Sequence, residues 1–206
     1  MKTPVRSSLA TMMALGVAAL GGCGGSAITQ PPAPGVLTVA WSPSTTSTLG
    51  PIAGRILFEE VFVLGDTAID QRAMMRDIPV PFESPSELPF TDLPQGIYSR
   101  YRSEVRGVTL DGQYGGTPLH IDVLLDHLFI DLRGDGVEIS LGHSGRFLVG
   151  FDPASWFAAG ELDAAEQTEG EILLDPTHNV DLLLRVLNRM PDNFSFATQA
   201  TVATTP

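Results

Sequence analysis

The chain has 206 residues, and its 24 acidic residues outnumber its 12 lysines and arginines, which gives a formal net charge of −12 at pH 7. An acidic surface repels phosphate backbones, so this composition argues against a nucleic-acid partner. The single cysteine excludes a disulfide within the chain.

The first 22 residues have the pattern of a signal peptide. Lys2 and Arg6 precede an apolar run, Leu9 to Leu20. This run is too short to cross a hydrocarbon core about 30 Å thick, which takes about 20 apolar residues. Small residues and a cysteine follow it in the stretch Leu20-Gly21-Gly22-Cys23.

That stretch resembles the lipobox of bacterial lipoproteins. The resemblance implies cleavage after residue 22, lipidation of Cys23 with diacylglycerol and a fatty acyl chain such as palmitate, and the membrane as a partner through this anchor. Gly24 stands where Asp would favour retention at the inner membrane, so the resemblance implies the outer membrane, on either face. All basic residues that remain after cleavage are arginines, which excludes lysine-based covalent catalysis.

Residues 23–35 predict a lipidated N-terminus and a flexible tether, because they contain three prolines and no periodic apolar positions. One domain is expected over residues 36–196. Its first strands are predicted at Val36–Trp41, Arg55–Leu64 and Asp77–Phe82, and two prolines assign the third strand to a sheet edge. The proline-rich segment 82–94 predicts a loop.

Two further segments alternate with the period of a strand. In residues 97–105, the alternation predicts a charged, solvent-facing side made of Tyr98, Arg100, Arg102, Glu104 and Arg106. In residues 117–132, the apolar positions change parity, so a bulge or a tight reversal is predicted at Asp126-His127. Turns are predicted at 134–136 and 142–145, ahead of strands at 137–141 and 147–151.

The end of the chain changes pattern. Asp152 and Pro153 predict a capped helical turn. Residues 179–190 predict one C-terminal α-helix, capped by Asn179, with Asp181 paired to Arg185. The predicted buried stripe is Val180, Leu183, Leu184, Leu187 and Met190. A last short strand is expected at Phe194–Phe196, followed by a disordered tail over residues 197–206.

The predicted fold class is mainly β, an antiparallel β-sandwich with one C-terminal α-helix. The order of motifs from Leu93 to Phe157 resembles uncharacterised bacterial lipoproteins with a transthyretin-like or immunoglobulin-like sandwich. That resemblance implies a fold and no particular function.

Two groups of side chains are candidate sites. His120 and Asp122 share one face of a strand and His127 lies close in sequence, which is a candidate metal site, although the same parity also suits a solvated face. Tyr98 and Tyr101 are candidate ligand-binding residues, and Tyr98, with arginines on its face, is predicted to be the exposed ring.

No catalytic pattern emerges from the sequence. Residues 142–146 approach a nucleophile elbow but end in Arg146 and precede a strand rather than a helix. We therefore expect a non-catalytic protein without a cofactor: a lipid-anchored binding or interaction module of the cell envelope, whose partner is an envelope protein or a glycan. The alternatives are a periplasmic metal-binding lipoprotein and a structural envelope scaffold.

Overall fold

The computed structural model describes residues 33–44, 48–65 and 72–202. The lipobox with Cys23 and residues 203–206 lie outside the described residues. The described chain is mainly β, with one α-helix, α1 (Val180–Arg189), and two short 3₁₀ turns, Pro153–Trp156 and Met190–Asn193. Its strands are β1 (Leu37–Pro43), β2 (Ala53–Gly65), β3 (Arg72–Pro81), β4 (Ser86–Phe90), β5 (Gly96–Tyr114), β6 (Thr117–Ile139), β7 (His143–Phe151), β8 (Gln167–Thr168), β9 (Glu171–Leu174) and β10 (Phe194–Val202).

The strands form two sheets, one of four strands in the order β10-β7-β1-β4 and one of six in the order β3-β2-β5-β6-β9-β8. Both sheets are mixed, because β1 runs parallel to β7 and β6 runs parallel to β9. The predicted purely antiparallel arrangement is therefore wrong. Turn signals report only on strands adjacent in sequence, and these parallel partners are far apart in the chain.

The two sheets share one hydrophobic core. Trp41 of the four-stranded sheet stacks on Phe58 of the six-stranded sheet, with ring centroids 5.9 Å apart, and meets Tyr101 edge-on at 6.4 Å. Phe196 packs against Tyr101 from the opposite end of the first sheet. These aromatic rings bury large areas and link the two sheets.

The predicted bulge in β6 is confirmed. Val105 pairs with Leu128 and Gly107 pairs with Leu124, so three residues of β6 face one residue of β5. His127 lies inside this bulge with a φ of 61°. The extra residues shift the parity of β6, so that Ile121 before the bulge and Ile130 after it both face the core.

Residues 134–136 do not form the predicted turn. They make a second irregularity within the continuous strand β6, where Tyr98 pairs with Val137 and Arg100 with Arg133. The chain reverses later, at Leu141 and Gly142. Glycine there is favoured because Gly142 has a φ of 80°.

The predicted loop over 82–94 contains a strand, β4, whose Phe90 pairs with Leu37. A strand with a proline is tolerated at this place because β4 is an edge of its sheet. The prediction that the strand ending near Pro81 is an edge is confirmed, since β3 borders the six-stranded sheet.

Both ends of the domain extend beyond their predicted limits. The carbonyl of Ala33 accepts a hydrogen bond from the Gly142 N–H at 2.9 Å, so the chain is already fixed before Val36. At the other end, Ala197–Val202 continue β10 and pair with β7, which makes the predicted disordered tail wrong for these residues. Pairing with a central strand orders a segment that has few apolar side chains of its own.

The C-terminal helix is confirmed, but its orientation differs from the prediction. Leu182, Leu183 and Val186 are buried, whereas Val180 and Leu184 are 40% and 53% exposed. Arg185 pairs with Glu161 rather than with Asp181. The described residues contain no helix that is long and apolar enough to span a membrane.

The two predicted caps behave differently. Asp152 accepts a hydrogen bond from the Ala154 N–H at 3.0 Å at the start of the 3₁₀ turn, as predicted. Asn179 occupies the cap position of α1 with a φ of 46° but makes no side-chain cap. Its amide instead donates to the carbonyls of Glu166 and Leu173. The side chain is therefore used to hold the preceding loop to β9.

Candidate functional site

The structure does not bring the predicted metal ligands together. His120 Nδ1 lies 2.5 Å from Asp111 Oδ1, whereas His127 Nδ1 lies 2.8 Å from Glu104 Oε1. Seven residues of extended strand separate the two histidines by roughly 20 Å, and Asp122 is exposed on β6. Among the described residues, no group of three or more His, Cys, Asp or Glu side chains is arranged to hold a metal ion.

The two candidate tyrosines lie in the core. Tyr98 and Tyr101 are both fully buried. The Tyr98 hydroxyl donates to the Pro94 carbonyl at 2.9 Å, and Trp41 Nε1 donates to the Tyr101 oxygen at 3.2 Å. Burial raises the pKa of Tyr101 far above its usual range. The predicted exposure of Tyr98 is wrong because the irregularity at residue 99 turns this side chain to the opposite face from Arg100.

The charged face predicted for β5 is instead the centre of a candidate site on the outer side of the six-stranded sheet. A groove of about 280 Å³ crosses β2, β5 and β6. We call it the outer groove, and it is lined by Glu60, Phe62, Leu64, Arg102, Glu104 and Phe129. The Phe129 side chain is 38% exposed, which leaves part of an aromatic ring open to a ligand.

Three arginines, Arg100, Arg102 and Arg133, lie near one another in the β5–β6 ladder, and we call them the arginine cluster. Of the three, Arg102 lines the outer groove. Arg100 lies directly opposite Arg133 in the β5–β6 ladder. Like charges in that position repel each other. Asp131 faces Arg102 in the same ladder and is therefore the carboxylate nearest to the whole cluster.

Asp131 interacts electrostatically with all three arginines, but its hydrogen bond comes from Arg100. Arg100 Nε donates to Asp131 Oδ1 at 2.6 Å. This hydrogen bond holds the pKa of Asp131 below its usual range, and the charges of Arg102 and Arg133 lower it further. The ladder therefore places three guanidinium groups around one carboxylate.

The bulge at residue 127 places a second aromatic ring beside Phe129, which lines the outer groove. The His127 ring lies nearly parallel to the Phe129 ring, with an interplanar angle of 18° and centroids 6.3 Å apart. The Arg102 guanidinium lies 4.5 Å from the centroid of Phe129. Histidine is among the non-glycine residues that are enriched at positive φ. The backbone irregularity at residue 127 thus determines the positions of both the imidazole and the phenyl ring.

Two carboxylates add hydrogen-bond acceptors to the outer groove. Glu104 Oε1 lies 2.8 Å from His127 Nδ1, and Glu60 Oε1 lies 2.8 Å from an Arg76 nitrogen. The site therefore combines guanidinium donors, carboxylate acceptors and aromatic carbon in one recess. The volume of the outer groove lies just below the range of small-molecule sites, about 300–1,000 Å³.

A larger groove, about 700 Å³, lies beside the start of α1. Two of its polar side chains, Glu161 and Asn179, are engaged in hydrogen bonds within the chain. Glu161 binds Arg185 and Arg189, and the Asn179 side chain bridges Glu166 and Leu173. We therefore assign this groove to the stability of the helix rather than to a ligand.

Sequence reasoning found only part of the site. The alternation in β5 predicted that Arg100, Arg102 and Glu104 share a solvent face, which is confirmed. Phe129 and Arg133 were missed, although the predicted parity change in β6 carried the signal for Phe129. A bulge at 127 reverses the alternation of faces for the residues that follow it. Phe129 therefore turns outward, whereas Ile130 turns inward.

Comparison of the chain with protein-family models, with curated proteins and with solved structures found no match.

Proposed function

We propose that this protein is a non-catalytic, lipid-anchored protein of the bacterial outer membrane that binds a carboxylate-bearing glycan. Its binding site is the outer groove together with the arginine cluster. The observation that carries the proposal is the surplus of guanidinium groups, three around Asp131, beside the half-open ring of Phe129. For the domain itself we propose an immunoglobulin-like or transthyretin-like sandwich, supported by two sheets that share one core.

The arginines account for the charge of the ligand. A guanidinium group binds a carboxylate through two parallel N–H donors, in a geometry that lysine cannot reproduce. Arg133 is exposed and makes no ion pair with any described residue. Arg102 is held over Phe129 and so presents its remaining donors in a fixed direction. These two side chains are the donors expected to take the carboxylate.

The other groups in the outer groove favour a glycan over an acidic peptide. Glu60 and Glu104 accept hydrogen bonds from hydroxyl groups but repel additional carboxylates. The backbone of β5 is hydrogen-bonded to β2 on one side and to β6 on the other. A peptide strand therefore has no free edge to pair with at this place, and recognition must come from side chains.

The proposed lipid anchor is consistent with this role. Several acyl chains on Cys23 hold a protein stably at a membrane, whereas one chain alone holds it only marginally. A domain anchored in this way stays beside the glycans of the envelope. The metal-binding alternative has no assembled ligand group to support it among the described residues, and a scaffold role is the alternative if no ligand binds.

Affinity gel electrophoresis with polygalacturonate, a carboxylated polysaccharide, tests the proposal. We expect the polysaccharide to retard the wild-type protein, whereas neutral dextran leaves its mobility unchanged. Arg133→Gln and Arg102→Gln should each weaken binding by about 10- to 150-fold, since each removes a charge-assisted interaction of about 1.5–3 kcal/mol. Added salt should weaken the interaction further.

Arg55→Gln is the matched control, because it removes an exposed arginine from the same sheet away from the arginine cluster. This variant should keep the wild-type retardation. Equal losses of retardation in Arg55→Gln and Arg133→Gln would show that binding depends only on the overall charge of the protein. That result would contradict the proposed binding site. Retardation by polyglutamate but not by polygalacturonate would indicate that the ligand is an acidic peptide rather than a glycan.

A further inference from the structure

We infer that the end of the domain around Leu141 is a membrane-contacting surface, which lies on the phospholipid headgroups when the chain is anchored. This surface depends on the lipid anchor at Cys23 proposed above, and it specifies which side of the domain meets the bilayer. Three features support it: the place where the chain enters the domain, the exposed apolar side chains at that place, and the distribution of acidic residues.

The chain enters the domain beside the reversal between β6 and β7. The Ala33 carbonyl accepts a hydrogen bond from the Gly142 N–H at 2.9 Å. The Gly35 backbone lies so close to the reversal that a Cβ atom there would be 2.2 Å from the His143 carbonyl oxygen. The entering segment is thus bound to the turn that presents Leu141.

The length of chain outside the domain makes this end the nearest one to the proposed lipid. Residues 24–32 separate Ala33 from Cys23, and nine residues span at most about 30 Å. The opposite end of the four-stranded sheet lies about 20 Å further along β7, from six steps of about 3.3 Å between Gly145 and Phe151. The anchor therefore brings the end around Leu141 to the membrane first.

Two large apolar side chains are exposed at this end. Leu141 is 52% exposed at the reversal, and Ile97 is 50% exposed at the start of β5, where it pairs with Glu138. The Glu138 carboxylate accepts a hydrogen bond from the Ser140 hydroxyl at 3.2 Å. Exposed apolar groups mark contacts with proteins or membranes, and at a membrane they enter the boundary between headgroups and acyl chains.

The acidic residues are concentrated at the opposite end of the domain. Residues 152–193 connect Phe151 to Phe194, which pair at that end, and they contain nine acidic residues and two arginines. The described segments that surround Leu141 contain a single acidic residue, Asp92, and Glu138 in β6 adds a second. These segments are residues 33–36, 91–95 and 140–144.

This distribution of charge favours a lipid surface as the occupant. A leaflet that contains anionic lipids has a negative surface potential, which repels the acidic end and so turns the end around Leu141 toward the bilayer. A second copy of the chain is disfavoured, because two chains with a formal net charge of −12 repel each other.

Fluorescence quenching on vesicles tests the surface. Cys23 is the only cysteine of the chain, and its thiol is blocked in the lipidated protein, so Leu141→Cys introduces a single site for a nitrobenzoxadiazole label. The lipidated chain is reconstituted into vesicles of phosphatidylethanolamine and phosphatidylglycerol that contain a lipid with a nitroxide on its headgroup. We expect the nitroxide to quench most of the emission of the label at position 141.

Leu184→Cys is the matched control. Leu184 is a leucine of equal exposure, 53%, and it lies on α1 within the acidic end. The same label at this position should keep most of its emission.

Equal quenching of the two labels on vesicle-bound protein, or no quenching of either, would overturn the inference. A label at position 141 that is shielded from water but not quenched would show that a second copy covers Leu141, and this result would also overturn it. A chain that does not bind the vesicles would contradict the anchor itself and the surface with it. The failure of the anchor is thus distinguishable from the failure of the surface.

Discussion

Glu161 is the side chain that fastens the loop after β7 to α1. Its Oε1 accepts hydrogen bonds from Arg185 Nε and Arg189 Nη2, each at 2.8 Å, and its Oε2 accepts from the Ala158 N–H at 2.8 Å. Only 15% of the side chain is exposed. The hydrogen bond from Arg189 is the main cause that lowers the pKa of Glu161 from 4.5 to about 2.

The lowered pKa of Glu161 predicts how the free energy of unfolding depends on pH. The pKa of Glu161 is lower in the folded state than in the unfolded state, so its contribution is complete above pH 4.5 and is lost as the pH falls toward 2. Glu161→Gln should lower the free energy of unfolding at pH 7 by about 1–3 kcal/mol. The loss should shrink below pH 4.5, and urea unfolding at pH 7 and pH 3.5 measures both quantities.

Glu59→Gln is the control for Glu161→Gln, since Glu59 is exposed on β2. It should change the free energy of unfolding by less than about 0.5 kcal/mol at either pH. If Glu161→Gln kept the full pH dependence of the wild type between pH 5 and pH 3, the assignment of that dependence to Glu161 would be wrong.

At the scale of elements, α1 shows how packing decides between two possible apolar stripes. Leu183 and Leu184 belong to the same predicted stripe, yet Leu183 is 3% exposed and Leu184 is 53% exposed. Leu182 and Val186 are buried in place of Val180 and Leu184. Arg185 and Arg189 pair with Glu161 in this orientation of the helix.

The two neighbouring leucines provide a direct test of this rotation. Leu183→Ala should destabilise the domain by about 2–5 kcal/mol, because it leaves a cavity in the core. Leu184→Ala should change stability by less than about 0.5 kcal/mol. Chemical unfolding of the two variants gives both values, and similar losses from both would contradict the observed orientation of α1.

At the scale of the whole molecule, the feature that concerns location is the number of residues between Cys23 and the first described contact of the domain. The chain is fixed to the domain from Ala33 onward, so only residues 24–32 separate the proposed lipid from the fold. Nine extended residues span at most about 30 Å. We therefore expect the domain to be held within that distance of the membrane surface.

Metabolic labelling with palmitate tests the anchor. The wild-type chain should incorporate label and remain with the membrane fraction, because thioether-linked acyl chains hold it there. Cys23→Ala should lose both properties, while a Ser26→Ala chain serves as the control and should behave like the wild type. Label retained by Cys23→Ala would show that the lipid is attached elsewhere or that the lipobox resemblance is misleading.

The parts that followed from the sequence are those that depend on neighbouring residues. Alternation along β5 assigned Arg100, Arg102 and Glu104 to one solvent-facing side, and the change of parity in β6 located the bulge at His127. The Asp152 cap depended on the residues immediately around it. Each is a local preference of the backbone or of a half-buried face, so it can be derived from a short window.

Only the tertiary structure decided which segments meet across the sheets. It paired β1 with β7 in parallel, placed Arg133 opposite Arg100, buried Tyr98 through an irregularity in the β5–β6 ladder, and set the rotation of α1. Register and partner choice depend on how distant strands pack around a common core, and an apolar pattern within one strand does not carry that information. The candidate site spans three strands, so Arg100 and Arg102 could be assigned to a face from the sequence, but the position of Arg133 and the groove itself could not.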